Sequence, residues 1–212
     1  MNRKTRILIA DDHMLVAEAC KRLLEPEFEV VGIVADGRSL LQAAEKLCPD
    51  VIILDVTMPQ LNGLDAGEQI KARSRNTKLV YLTMNPRADV AAEALRRGAS
   101  GYVLKQCSSS ELIDAIHRVL HNESYLSPLI TKDTVDFLLR SGAAFHEEKQ
   151  LSCRQREVLQ LLAEGKSMKE AAYRLSVQPG TIAFHKYKIM ETLGLSSTAE
   201  LIEYAMRKHM LA

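Results

Sequence analysis

The feature that most constrains this 212-residue chain is an alternation of strand and helix patterns, repeated five times before residue 121. Short runs rich in β-branched residues predict buried strands, and longer segments with apolar residues every three or four positions predict covering helices. The strands are predicted at 6–10, 30–35, 51–55, 79–83 and 101–104, and the helices at 13–25, 38–47, 64–74, 87–97 and 109–120. This order predicts a flavodoxin-like, doubly wound parallel sheet of five strands, with its chemistry at the carboxyl ends of the strands.

A different pattern follows residue 150, where four helical stretches begin near 152, 167, 179 and 197 and leave little room for strands. Three of these starts have a serine followed three residues later by Gln or Glu, a spacing that satisfies the free amides of a helix start. The pairs are Ser152 with Gln155, Ser167 with Glu170, and Ser197 with Glu200. We therefore predict an α/β domain at 1–122, a linker at 123–149 and a small all-α four-helix domain at 150–212.

Composition restricts the protein's class and location. The chain is 47% hydrophobic and 26% charged, enough apolar surface for two modest cores. Its basic start is followed by only four apolar residues, too few for a signal peptide or a membrane span. The four cysteines are widely scattered and form no metal-binding pair. We expect a cytoplasmic protein with reduced thiols and no membrane partner.

Polar residues occur at the predicted strand ends. Asp11 and Asp12 follow the first strand, Asp55 ends the third, Thr83 ends the fourth, and Lys105 follows the fifth. Parallel strands bring these ends to one edge of the sheet, where three close carboxylates repel one another unless cations compensate. An all-oxygen site suits Mg²⁺ assisting phosphoryl transfer, with Asp55 as the nucleophilic carboxylate.

The first 120 residues resemble bacterial response-regulator receiver domains. The stretches "ILIADDH", "IILDVTMPQLNG", "YLTM" and "GASGYVLK" match the signatures of that family in the same order. The resemblance implies that Asp55 accepts a phosphoryl group from the phosphohistidine of a sensor histidine kinase.

The same resemblance implies the roles of the surrounding residues. Asp12, Asp55 and the backbone carbonyl of Thr57 would hold Mg²⁺, and Asp11 would contribute through water. Thr83 would hydrogen-bond the phosphoryl oxygen, Lys105 would pair with it, and Tyr102 would occupy the aromatic switch position.

A turnover enzyme is the alternative for the acidic pocket. Phosphatases of the haloacid dehalogenase type also begin at a strand-end aspartate, but they need a second aspartate two residues later as general acid. This chain has Thr57 there. We therefore favour slow, self-catalysed phosphoryl acceptance and autodephosphorylation over an enzyme proper.

The C-terminal part resembles the LuxR-type helix-turn-helix, which together with a receiver gives the NarL/FixJ class of response regulator. The run "REVL", "AEGKS", Thr181 to Ile182, His185, Ile189 and "LG" at 193–194 carry this resemblance. A helix starting at Pro179 would bury Ile182, His185, Ile189 and Leu193 on one face.

The opposite face of that helix is unusually apolar for a DNA reader. We predict phosphate contacts from Thr181 and the lysines, and apolar base contacts from the alanine and the aromatic residues. The predicted DNA-binding residues are Thr181, Ala183, Phe184, Lys186, Tyr187 and Lys188. The resulting function is phosphorylation-controlled transcription by a homodimer formed on activation. The alternative is a phospho-regulated adaptor whose aromatic face binds a protein instead of specific DNA.

Overall fold

The computed structural model describes residues 3–131, 136, 151–208 and 210. Its N-terminal domain contains a six-stranded, wholly parallel sheet in the order β2-β1-β3-β4-β5-β6. The strands are β1 (Arg6–Ala10), β2 (Glu29–Val34), β3 (Val51–Leu54), β4 (Lys78–Thr83), β5 (Gly101–Leu104) and β6 (Tyr125–Leu126). The prediction of a doubly wound parallel sheet is confirmed.

Five helices connect these strands and cover both faces of the sheet. They are α1 (Met14–Leu24), α2 (Gly37–Leu47), α3 (Gly63–Arg73), α4 (Ala88–Arg96) and α5 (Ser109–Leu120). Because successive strand residues point to opposite faces, Leu8 and Ile52 belong to one hydrophobic cluster, whereas Ile7 and Ile53 belong to the other. This two-sided burial explains why the central strands are continuously apolar.

The sixth strand was not predicted, so the prediction of five strands is corrected here. Tyr125 and Leu126 pair in parallel with Gly101 and Tyr102 of β5. The chain then continues along the sheet, where the Ser127 amide donates to the Tyr102 carbonyl at 2.9 Å. A two-residue strand carries no alternation for a sequence pattern to detect. The segment predicted as a linker, 123–149, thus begins inside the sheet, and most of its remainder lies outside the described residues.

Within the described residues 151–208, the C-terminal domain has four helices, as predicted. They are α6 (Cys153–Ala163), α7 (Met168–Arg174), α8 (Pro179–Leu193) and α9 (Thr198–Arg207). Complete capping boxes start α6 and α7, at Ser152 and Ser167. At α9 the Ser197 side chain accepts from the Glu200 amide, but Glu200 reaches back to the Ser196 amide. None of the helices in the described ranges is long and apolar enough to cross a membrane.

A close backbone approach fixes the start of α3 directly behind β3. The Gly63 amide donates to the Val56 carbonyl at 2.7 Å. A Cβ atom at position 63 would lie 1.8 Å from the Asp55 carbonyl oxygen. Only glycine therefore lets α3 begin this close to the end of β3.

We expect Gly63→Ala to lower the free energy of unfolding of the N-terminal domain by about 1–3 kcal/mol, because the backbone at Gly63 and at Asp55 must move apart. Urea unfolding followed by circular dichroism measures this change. Gly180→Ala is the matched control, since a Cβ there meets nothing within 4 Å. An unchanged midpoint for the Gly63 variant would contradict the close approach.

Candidate functional site

The strand-end residues meet in an acidic pocket at the carboxyl edge of the sheet. Asp11 and Asp12 follow β1, and Asp55 follows β3, the strand next to β1. One ligand atom from each of Asp11, Asp12, His13 and Asp55 can be chosen such that all lie within 4.8 Å of one another. Asp11 and Asp55 are buried, with 3% and 4% of their surface exposed. The strand-end reasoning thus brought Asp55 together with the adjacent pair Asp11 and Asp12, which lie more than 40 residues earlier in the sequence.

Lys105 is the cation that opposes these carboxylates. Its Nζ atom lies 2.6 Å from Asp55 Oδ2 and 2.8 Å from Asp11 Oδ2. Burial lowers the pKa of Lys105, but its hydrogen bonds to Asp11 and Asp55 and their charges outweigh burial, so the pKa is raised overall. Lys105 therefore remains charged, and three carboxylates against one ammonium leave a formal charge of −2.

The pocket has the donor set of a hard-cation site. Asp12 Oδ1 is buried and accepts no hydrogen bond from the described part of the chain, although His13 Nδ1 lies 3.0 Å away. A buried carboxylate oxygen without a donor is costly unless a cation or water satisfies it. His13 was not among the predicted site residues, and its only sequence signal is its position directly after Asp11 and Asp12. Its ring is 67% exposed, at the mouth of the pocket.

Thr57 and Thr83 lie on the segments that border the pocket. Thr57 is two residues beyond Asp55, in the loop from 56 to 62 that joins β3 to α3. Thr83 ends β4 and is 2% exposed, and its carbonyl accepts from the Lys105 amide at 2.8 Å. Its hydroxyl oxygen accepts from the Asn85 amide at 3.3 Å.

Tyr102 is buried against the segment that follows Thr83. Its hydroxyl donates to the Asn85 carbonyl at 2.9 Å, and its ring lies 6.4 Å from that of Tyr81. Burial, with the nearby charges of Asp55 and Asp89, raises the pKa of Tyr102, so the phenol stays neutral and available as a donor. The aromatic side chain is thereby joined to the loop after Thr83.

The second candidate site is the exposed face of α8. Ile182 and Ile189 are fully buried, with His185 and Leu193 partly buried on the same side. The prediction of which face packs inward is therefore confirmed. On the other side Phe184 is 65% exposed and Tyr187 is 68% exposed.

The two lysines of α8 have contacts within their own domain. Lys188 Nζ lies 2.8 Å from Glu191 Oε2, and Lys186 Nζ donates to the Thr198 hydroxyl at 2.9 Å. Such exposed contacts contribute little to stability. Tyr173 of α7, 87% exposed, adds a third aromatic surface that the sequence reading did not single out.

The basic excess of the C-terminal domain is partly used inside the molecule. Arg156 pairs with Asp65 and Glu68 of α3, both at 2.6 Å. Arg154 pairs with Glu157 at 2.8 Å. In this arrangement both arginines neutralise carboxylates, so their charges do not contribute to a surface suited to nucleic acid.

Comparisons with known proteins match both domains. A family model described as "Response regulator receiver domain" matches residues 7–117, and "Bacterial regulatory proteins, luxR family" matches 149–205. The "Oxygen regulatory protein NreC" of Staphylococcus carnosus (strain TM300) is 36% identical over 97% of this chain and 99% of its own length. Its counterpart in Staphylococcus aureus (strain JH9) has the same identity and coverage.

Two of the similar solved structures are of the RcsB response regulator from Salmonella. The RcsB response regulator of Salmonella typhimurium aligns with a TM-score of 0.62 at 29% identity, over 96% of this chain and 97% of that one. RcsB of Salmonella enterica serovar Typhimurium, bound to promoter P1flhDC with phosphomimetic BeF3-, aligns with a TM-score of 0.61 at 29% identity. That alignment covers 95% of this chain and 98% of the other.

We expect Tyr102→Phe to lower the free energy of unfolding of the N-terminal domain by about 1 kcal/mol, because the Asn85 carbonyl loses its donor. Chemical unfolding measures the change. Tyr187→Phe is the matched control. That hydroxyl is on an exposed side chain, so its loss should change the free energy of unfolding by less than about 0.5 kcal/mol. Equal midpoints for the two variants would contradict the hydrogen bond.

Proposed function

Because the chain belongs to the response regulators of the NarL/FixJ class, with a receiver and a LuxR-type DNA-binding domain, we propose that Asp55 is its phosphoacceptor and that phosphorylation there controls transcription. The observation that carries this proposal is the acidic pocket in which the Lys105 ammonium is paired with the Asp55 carboxylate. The phosphodonor is the phosphohistidine of a sensor histidine kinase. Our proposal locates the protein in the cytoplasm, where it acts as a homodimer once activated.

Four residues of the receiver have distinct parts in the transfer. Asp55 supplies the attacking carboxylate oxygen, which forms a bond to phosphorus as the bond to the donor nitrogen breaks. The Lys105 ammonium pairs with the negative charge of the phosphoryl oxygens once the group is on Asp55. The Thr83 hydroxyl donates to a phosphoryl oxygen. Tyr102 moves together with the loop after Thr83, because its hydroxyl is hydrogen-bonded to that loop.

Asp12, Asp55 and the Thr57 carbonyl are the groups that would hold Mg²⁺, with Asp11 acting through water. Bound Mg²⁺ supplies charge neutralisation for phosphoryl transfer. The formal charge of −2 and the buried Asp12 oxygen, which accepts no hydrogen bond within the described residues, support this assignment.

The output reaction is DNA binding through α8. Thr181, Lys186 and Lys188 contact phosphates, while Ala183, Phe184 and Tyr187 contact base edges in the major groove. Thymine methyl groups are the partners that fit an apolar face. The exposure of Phe184 and Tyr187 supports this role, since neither ring is used in the core.

The experiment that tests the phosphoacceptor is labelling by a small-molecule phosphodonor in Mg²⁺. We expect Asp55→Asn to abolish labelling, because an amide cannot form the acyl phosphate. Chelation of Mg²⁺ should suppress labelling of the parent. Asp114→Asn, which removes an exposed carboxylate from α5, is the matched control and should label normally. Full labelling of Asp55→Asn would remove this residue from the role.

The experiment that tests the output surface is a set of DNA-binding curves at several salt concentrations, with phosphorylated protein. Lys186→Ala or Lys188→Ala should weaken binding to all sequences alike and flatten the logarithmic salt dependence by about 0.9 per lost contact. The control is Lys46→Ala, at an exposed position of α2, which should leave the DNA affinity and its salt dependence unchanged.

Base readout is tested on the same curves. Phe184→Ala should erode discrimination by about 1–3 kcal/mol at the base pair that it contacts, and replacing a contacted thymine with uracil should mimic this change. Met206→Ala, an exposed apolar side chain of α9, is the matched control. If no variant alters binding, or binding never exceeds the nonspecific level, the aromatic face serves a protein partner instead.

A further inference from the structure

The output domain contacts the receiver at the loop that follows the phosphorylation site. This β3–α3 loop, residues 56–62, lies directly after Asp55. The Gln160 side chain of α6 is fully buried against it. Its Nε2 atom donates to the Met58 carbonyl at 2.8 Å, and its Oε1 atom accepts from the Asn62 amide at 2.7 Å. The two ends of one glutamine thus bridge the loop.

A second side chain, that of Glu164, completes this contact. Glu164 lies one helical turn beyond Gln160, directly after the last residue of α6. Glu164 Oε1 accepts from the Gln60 amide at 2.7 Å and from Gln160 Nε2 at 2.9 Å. Gln60 has a φ of 68°, a left-handed conformation that costs energy for a residue with a Cβ. The output domain therefore holds a loop whose backbone is strained at its centre.

Ion pairs beside the loop hold the two domains in this register. Arg156 contacts Asp65 and Glu68, both at 2.6 Å, and Asp65 is only 2% exposed. Arg38 of α2 pairs with Glu157 at 2.9 Å. Partly buried pairs of this kind have defined geometry and are costly to break singly.

This contact leaves the DNA-binding face of α8 open. Phe184 and Tyr187 remain largely exposed while α6 is against the receiver. The interdomain contact consequently does not act by covering those two side chains. Its buried hydrogen bonds are instead directed at the backbone around the candidate metal ligand Thr57.

We propose that Gln160 is a positioning residue of the phosphorylation site: from the output domain, it holds the β3–α3 loop in the conformation that presents the Thr57 carbonyl to Mg²⁺. The inference rests on the proposed function, because it assumes Mg²⁺ and phosphoryl chemistry at Asp55. Its physical basis is the thermodynamic linkage between docking of α6 and binding of Mg²⁺. If docking of α6 stabilises the metal-binding form of the loop, Mg²⁺ binding must stabilise docking by the same factor.

The test compares the full-length parent with Gln160→Met, which keeps the side-chain volume but cannot bond the Met58 carbonyl or the Asn62 amide. Mg²⁺ affinity is measured by calorimetry with the metal alone, and the labelling rate with a small-molecule phosphodonor. We expect Mg²⁺ affinity to fall about fivefold, as for the loss of one net hydrogen bond, with slower labelling at subsaturating Mg²⁺. Saturating Mg²⁺ should restore the rate.

Loop order provides a readout that does not depend on phosphorylation. Amide hydrogen exchange in metal-free protein should accelerate at Gln60 and Asn62 in Gln160→Met. Gln178→Met makes the same chemical change at an exposed position of the output domain, and it should match the parent in every measurement. Glu164→Ala, at the end of α6, is the second variant if Gln160→Met does not fold, and it should shift affinity in the same direction.

The outcomes separate this inference from the function on which it rests. Failure of the parent itself to bind Mg²⁺ or accept a label would overturn both proposals. Parent-like Mg²⁺ affinity and labelling in a folded Gln160→Met, beside an inactive Asp55→Asn, would overturn the positioning role alone. Rates that stay slow at saturating Mg²⁺ would also overturn it, since they would indicate general damage.

Discussion

The contact of Lys105 with Asp11 and Asp55 is the interaction on which the rest of the receiver depends. A parallel sheet brings its carboxyl ends to one edge, and here that geometry forces three carboxylates together. One buried ammonium reduces their repulsion but leaves a formal charge of −2, so the pocket attracts a further cation. In the function that we propose, the same lysine pairs with the phosphoryl group on Asp55, which adds about 1.5 to 2 negative charges at pH 7.

The pocket is connected in two directions by ordinary hydrogen bonds. On the β5 side, the Tyr102 hydroxyl donates to the loop after Thr83, and the Tyr102 backbone carbonyl accepts from Ser127, directly after β6. Toward the output domain, Gln160 and Glu164 hold the loop after Asp55. The pocket is therefore connected by hydrogen bonds both to the segment that follows β6 and to the first helix of the C-terminal domain.

Much of this arrangement follows from the sequence because it is periodic or local. The strand and helix periods identified five strands and nine helices, and the strand ends identified Asp11, Asp12, Asp55 and Lys105 without any contact information. Capping serines marked the starts of α6, α7 and α9. The buried face of α8 followed from winding the helix, which left Phe184 and Tyr187 outside.

The features that sequence reasoning missed depend on contacts between distant residues. The strand β6 has only two residues, so its pairing with β5 is a tertiary effect. Gln160 and Arg156 have ordinary positions on an amphipathic helix, and nothing local indicates that they meet residues 62 and 65.

We propose that the charge at Asp55 governs DNA binding by the other domain. This is tested by the DNA affinity of one full-length preparation before and after treatment with a small-molecule phosphodonor in Mg²⁺, at fixed salt. We expect the affinity to increase on the order of tenfold in the parent and to stay unchanged in Asp55→Asn. Equal affinity of the labelled and unlabelled parent for its specific sequence would contradict it.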